Sequence, residues 1–176
     1  IQVALLLPFM TNETTQSSAT SRFVEYYEGL LLAVDSLRNM GTSIELSVYD
    51  TGNGTKKVKE ILKEDALSNA NLIIGAVQND QIGLIADFAQ KHNIKYVIPF
   101  TSKNDDVLSN ANVYQVNTPH SYLYSKAAQA GCDLFSDYNI ILVNIKDKEE
   151  KPEFIKAFKT EMKESDSTFK EVAYKG

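Results

Sequence analysis

The chain has 176 residues, enough for one full domain or for one domain with part of another, and enough to bury a core without staples. Its 43% apolar and 23% charged residues describe an ordinary globular protein, and a net charge of −5 with interspersed signs argues against a nucleic-acid surface. Cys132 is the only cysteine, which excludes an internal disulfide and a cysteine-rich metal centre, and no apolar run approaches the roughly 18 residues that span a bilayer.

The opening run Val3 to Phe9, closed by Pro8, reads as a strand buried on both faces; with no basic residues before it, it does not read as a signal peptide. The Ser/Thr-rich stretch Thr11 to Ser21 reads as a long surface loop. Phe23, Tyr27, Leu30, Leu31, Val34 and Leu37 then recur at helical spacing up to a stop at Gly41. Ile44 to Asp50 is a second strand, and the turn 51–54 leads to a helix with Thr55 as N-cap and Val58, Ile61, Leu62 and Ala66 inward. Residues 71–77 give a third strand. Ile82, Ile85 and Ala89 line a helix that ends near His92 and Asn93, and residues 95–100 and 112–117 give a fourth and a short fifth strand.

At Asn117-Thr118-Pro119 the rhythm restarts. Pro119 opens a helix with an expected inward face of Leu123, Ala127, Ala130 and Leu134. Residues 138–144 form a sixth strand, Phe154, Phe158 and Met162 mark a helix, and residues 168–174 form a last strand. Strands alternating with helices call for an α/β fold: a parallel sheet of order 2-1-3-4-5 with helices on both faces, over residues 1–117. Residues 118–176 hold only two strands, too few for a stable sheet, so the chain reads as cut short or its last part as finding neighbours elsewhere.

These residues resemble the type I periplasmic binding proteins, the family of the branched-chain amino-acid receptors. The resemblance lies in the order of several segments: VALLLPF, the helix FVEYYEGLLLAVDSLRNMG, the strand IELSVYD, the stretch NLIIGAVQNDQIGLIADFAQKHNIKYVIPFTSKND, and NVYQVNTP as the crossover. It implies a first lobe at 1–117 and the opening strand–helix–strand of a second lobe at 118–176. The variant it looks most like is the receptor-like domain found with peptidoglycan-binding LysM modules in bacterial envelope proteins. A periplasmic or envelope location follows from the same resemblance.

Ligands of open parallel sheets bind beyond the carboxyl ends of the strands. Three loops meet that rule: 11–21, 75–80 and 99–104. The resemblance implies that the latter two hold a ligand's polar head, with Gln78, Asn79, Thr101 and Ser102 as candidates. Amides at a helix N-terminus with a hydroxyl donor suit a carboxylate or phosphate, but Asn79 could equally cap its helix and Thr101-Ser102 form only a turn. The family's Tyr-Gly element after the first strand of the second lobe is missing; the charge run Asn144 to Phe154 stands there and reads as a solvated loop.

Other chemistry finds little support. Asp50 ends a strand but has no acidic partners after strand one, and reads as a turn residue. No G-x-G-x-x-G follows a strand, and the loop after strand one lacks the glycine turn of a phosphate cradle, which weakens a flavodoxin-like enzyme. His92 and His120 have no clustered partners, Cys132 reads as a small core residue, and the glycosylation patterns at Asn12 and Asn53 are common by chance. No catalytic residue, metal or cofactor is expected. The sequence therefore reads as a solute-binding or sensor module for an amino acid, peptide or cell-wall fragment. The alternative is a non-catalytic scaffold domain that docks onto an envelope protein or cell wall. The apolar strands of the last segment lead us to expect self-association through residues 139–174.

Overall fold

A computed structural model describes residues 1–12, 18–145, 152–165 and 168–174. The chain divides into two compact units, Ile1–Asn117 and Thr118–Gly176.

The first unit is built on β1 (Gln2–Leu7), α1 (Ser18–Asn39), β2 (Glu45–Asp50), α2 (Thr55–Ile61), α3 (Asp65–Ser68), β3 (Leu72–Gly75), α4 (Asn79–His92), β4 (Lys95–Ile98) and β5 (Val113–Gln115). The five strands form one parallel sheet in the order β2-β1-β3-β4-β5, as the sequence led us to expect. β1 lies between two neighbours and is buried from Val3 to Leu7, which is why it reads as a continuous apolar run. Ala4 and Leu6 face a core built with Ile73, Tyr96 and Ile98 of the sheet and with Val58, Leu67, Ile82, Ile85 and Ala89 of α2, α3 and α4. Val3, Leu5 and Leu7 alternate with these and point to the other face, where the right-handed crossover from β1 to β2 carries α1.

Helix ends follow local chemistry. Past α1, Gly41 turns left-handed at φ 89 and Thr42 N donates to Leu37 O at 2.9 Å. Past α4, Asn93 does the same at φ 54, and the side chains of Asn110 and Asn112 add bonds to the carbonyls of Ala86 and Ala89 in its last turns.

Four expectations for this unit need correction. α1 begins at Ser18, so the Ser/Thr-rich stretch is partly helical, and its residues 13–17 lie outside the described residues. Leu31 and Leu37 of the expected α1 stripe are exposed, since the sheet covers only the side carrying Phe23, Tyr27, Leu30 and Val34. The helix after β2 breaks after Ile61, and the turn at 62–64 resets its rotation, so Leu67 and not Ala66 reaches the core. Gly54, at φ 70, holds its N-cap position in place of Thr55.

The second unit contains α5 (His120–Leu134), β6 (Ile140–Ile145), α6 (Pro152–Glu164) and β7 (Phe169–Tyr174), with β6 and β7 parallel. Residues 146–151 of the charge run lie outside the described residues. Here the expected inward face of α5 is wrong. Leu123, Ala127, Ala130 and Leu134 are exposed, Leu134 by 72%, while Ala128 and Cys132 are buried and Tyr124 packs edge-on against Phe154 at 5.9 Å. Both stripes have helical spacing. The one holding Ala128, Gly131 and Cys132 is narrow enough to admit α6, whose Phe158 ring lies 4.0 Å from where a Cβ on Gly131 would be.

One glycine is decisive. Gly75 ends β3 at φ 128, and a Cβ there would lie 2.0 Å from the carbonyl oxygen of Leu6. Gly75→Ala should therefore cost about 3 kcal/mol or more in urea unfolding, from clash and backbone strain together. Gly83→Ala, inside α4 with nothing within 4 Å, should be neutral or stabilising by up to ~1 kcal/mol.

Candidate functional site

The carboxyl ends of β1, β2, β3 and β4 lie along one edge, with β1 and β3 at the point where successive connections leave in opposite directions. Two non-glycine residues there are left-handed, Met10 after β1 at φ 54 and Ala76 after β3 at φ 56. Ala76 N donates to Leu6 O at 2.7 Å, and Thr51 N to Leu7 O at 2.9 Å, so the loops after β2 and β3 are both fastened to the end of β1.

Asp50, the last residue of β2, ties the loop after β1 to the loop after β2. Its Oδ1 accepts from Met10 N at 3.1 Å and Gly52 N at 3.0 Å. Its Oδ2 accepts from Thr11 N at 3.0 Å, Thr11 Oγ1 at 2.7 Å and Lys57 Nζ at 3.0 Å. The expected turn role is present in the bond to Gly52, two residues on, but it is one contact of five among the described residues. The sequence could show Asp-x-Gly; it could not show a partner 39 residues away.

The sequence-predicted residues divide into two groups. Gln78 stands at the N-cap of α4 without capping it; its Oε1 accepts from Gly54 N at 3.0 Å and its Nε2 donates to Asn53 Oδ1 at 3.2 Å. Asn79 is the first helical residue and is exposed, so it is not the cap either. Three residues past Gln78, the buried Gln81 donates through Nε2 to the carbonyls of Gly52 and Gly54, at 3.3 and 2.8 Å. Nothing in the sequence distinguished Gln81, because a glutamine inside an amphipathic helix reads as surface. The Oε1 of Gln81 and the Oγ1 of Thr51 are buried without a hydrogen-bond partner among the described residues.

After β4, Thr101 Oγ1 accepts from Lys103 N at 3.0 Å, which is the turn expected of this segment. Thr101 and Ser102 are both partly buried. The buried Asn104 accepts from Asp106 N through its Oδ1 and steadies the end of the loop. Phe100, just before Thr101, meets Phe23 and Tyr26 of α1 edge-on, at 5.5 and 4.8 Å, while Phe9 meets Tyr27 at 5.9 Å. α1 thus braces the loops after β1 and β4 with rings, and the other face braces the loops after β2 and β3 with amides.

Partial burial works against the charge on Asp50, but hydrogen bonds from Thr11 Oγ1, Lys57, Gly52 N and Thr11 N outweigh it and hold its carboxyl well below the usual carboxylate range. A depressed folded-state pKa means that the unfolded chain binds the proton more readily. The stabilisation is therefore present above about pH 4, the ordinary aspartate value, and is lost as the pH falls through the folded value. Urea midpoints measured from about pH 6 down to about pH 2 should fall in the wild type, and Asp50→Asn should be less stable at neutral pH and show a shallower acid limb.

No family model and no curated protein matches the chain. Solved structures do. A substrate-binding protein of an ABC transporter from Desulfitobacterium hafniense, in complex with Leu, aligns over 100% of this chain and 51% of its own, with 15% identity and a TM-score of 0.67. A putative branched-chain amino-acid ABC transporter protein from Rhodospirillum rubrum aligns over 99% and 50%, with 12% identity and a TM-score of 0.70. A leucine-binding protein from Thermotoga maritima aligns over 99% and 49%, with 18% identity and a TM-score of 0.58. The chain spans about half the length of these structures, and across that length it has the fold of the type I periplasmic binding proteins.

Proposed function

We propose that the chain is a solute-binding module of a bacterial periplasmic or cell-envelope protein, in which residues 1–117 act as the first lobe and 118–176 open the second. The observation that carries this reading is an alignment over essentially the whole chain with substrate-binding proteins, joined to a braced, polar carboxyl edge. The ligands named with such structures are Leu, isoleucine and benzoate, which share a carboxylate. A small carboxylate-bearing solute is accordingly the ligand class we assign, free amino acids first, with short peptides and cell-wall fragments in the same class. Asn79, Thr101 and Ser102 are the contacts; Gln78 contributes by holding the loop after β2, since its amide oxygen and nitrogen both bond there. The role is capture without catalysis. No helix among the described residues is long and apolar enough to cross a membrane.

A thermal-shift panel of amino acids, benzoate, dipeptides and muropeptides tests this reading, because a ligand that binds only the folded state raises the midpoint. At least one carboxylate should do so, and the double variant Thr101→Ala, Ser102→Ala should weaken its binding by about tenfold, the worth of one or two hydrogen bonds. Unchanged affinity removes this loop from the site.

A second reading, an interaction or scaffold domain that docks onto an envelope protein or cell wall, draws on the second unit. The pairing of β6 with β7 puts Ile141, Val143, Val172 and Tyr174 on one face, and Ile141, Val143 and Tyr174 are exposed by 57, 58 and 59%. At roughly 25 cal/mol per Å², a few hundred Å² of such surface drives association by several kcal/mol. We propose that two copies pair through residues 139–174. Light scattering at low micromolar concentration should give a dimer in the wild type and a monomer in Ile141→Lys, Val143→Lys; a monomeric wild type ends the proposal.

A further inference from the structure

The last residue of β2 is a carboxylate that gathers an unusual number of donors. Five donors converge on Asp50: the backbone amides of Met10, Thr11 and Gly52, the hydroxyl of Thr11 and the ammonium of Lys57. Two of the amides are consecutive, and the left-handed Met10 belongs to this pair, the local geometry of an anion-holding nest. A side chain other than glycine takes that conformation only when its surroundings hold it there, and the pair of bonds from Met10 N and Thr11 N supplies the hold. The stem of Lys57 lies over Gly52, 2.9 Å from where a Cβ would stand, so the cation is fixed on the same side.

We propose that Asp50 is a positioning residue for ligand capture: its carboxylate fills an anion cradle shared by the loops after β1 and β2, and so fixes these loops at the edge where Asn79, Thr101 and Ser102 meet the ligand. This rests on the reading of the carboxyl edge as the ligand site. An internal anion serves this purpose better than a free one, since it is present at fixed geometry at all times and the loop need not be ordered when ligand arrives. It also accounts for a polar network far larger than a turn requires. Through Gly52 and Gly54 the cradle is continuous with Gln81 and Gln78, so one hydrogen-bonded network ties three of the loops at the edge.

The test is chemical rescue, read on the full chain. Amide hydrogen exchange at Met10 and Thr11 should accelerate by about tenfold or more in Asp50→Ala, the equivalent of losing charge-assisted hydrogen bonds, while exchange at Ile73 and Ile74 stays as in the wild type. Sodium formate, against sodium chloride at equal ionic strength, should slow Met10 and Thr11 again in Asp50→Ala and leave the wild type unchanged. Asp50→Asn, which keeps an acceptor but loses the charge, should fall between. L-leucine binding, by calorimetry, should weaken in Asp50→Ala and recover with formate. Wild-type exchange at Met10 and Thr11 in Asp50→Ala, acceleration spread evenly over the sheet, or no response to formate would each overturn the cradle. Wild-type leucine affinity in Asp50→Ala would overturn the positioning role. A wild type that binds no leucine, benzoate or dipeptide counts against the ligand reading, and the exchange experiment still decides the cradle.

Discussion

The close approach of β3 to β1 is the constraint on which the rest of the first unit depends. At Gly75 the two backbones come so near that a Cβ would overlap the carbonyl of Leu6. That approach seats β1 between β2 and β3 and so creates the reversal in strand order beside which open sheets hold their ligands. It also dictates the path of the chain beyond β3. Ala76 turns left-handed and donates to Leu6, Gln78 and Asn79 follow as the N-cap and first residue of α4, and the hydroxyl of the buried Tyr96 donates to the carbonyl of Gly75 at 3.1 Å. Burial, first, and the charge of Asp106 keep that phenol protonated far above its ordinary range, so it acts there only as a fixed donor.

The edge built on this approach is held by two different forces on its two faces. On the face of α1 the braces are aromatic and non-directional: Phe9 with Tyr27, and Phe100 with Phe23 and Tyr26. On the other face they are directional, running from Asp50 through Gly52 and Gly54 to Gln78 and Gln81. Rings set distance and tolerate small rotations, whereas amide and carboxylate bonds set orientation. The polar side chains of the edge are concentrated where the bonds are directional.

Parallel sheets are stable when both faces are covered, and coverage here is uneven within each unit. In the first, α2, α3 and α4 bury Ala4, Leu6, Ile73, Tyr96 and Ile98 on one face, while Leu32 of α1 is exposed by 72% and Val48 of β2 is half-exposed. In the second, α6 covers the side of β7 that carries Phe169, whose ring meets Phe158 at 6.3 Å, and leaves Ile141 and Val143 to solvent. Apolar surface of this extent is a drive toward contact.

The alternation of strand and helix, the strand order and the places where α1 and α4 stop were legible in the sequence by itself. Each arises from local chemistry: periodicity of 2 or 3.6, a glycine or asparagine able to turn left-handed, and the handedness of crossovers. The loops of the edge were legible for the same reason. What only the tertiary structure decided was which of two equivalent stripes a helix buries and which polar side chains serve other loops. Leu123 and Leu134 lost to Ala128 and Cys132 because α6 needed a narrow surface, a property of the partner and not of α5. The sequence did not show that Gln78 and Asp50 hold loops 24 to 40 residues distant, and Gln81 carried no signal at all. Hydrogen bonds between residues that far apart leave no periodicity in the chain; they exist only once the sheet has brought the ends of β1, β2 and β3 side by side.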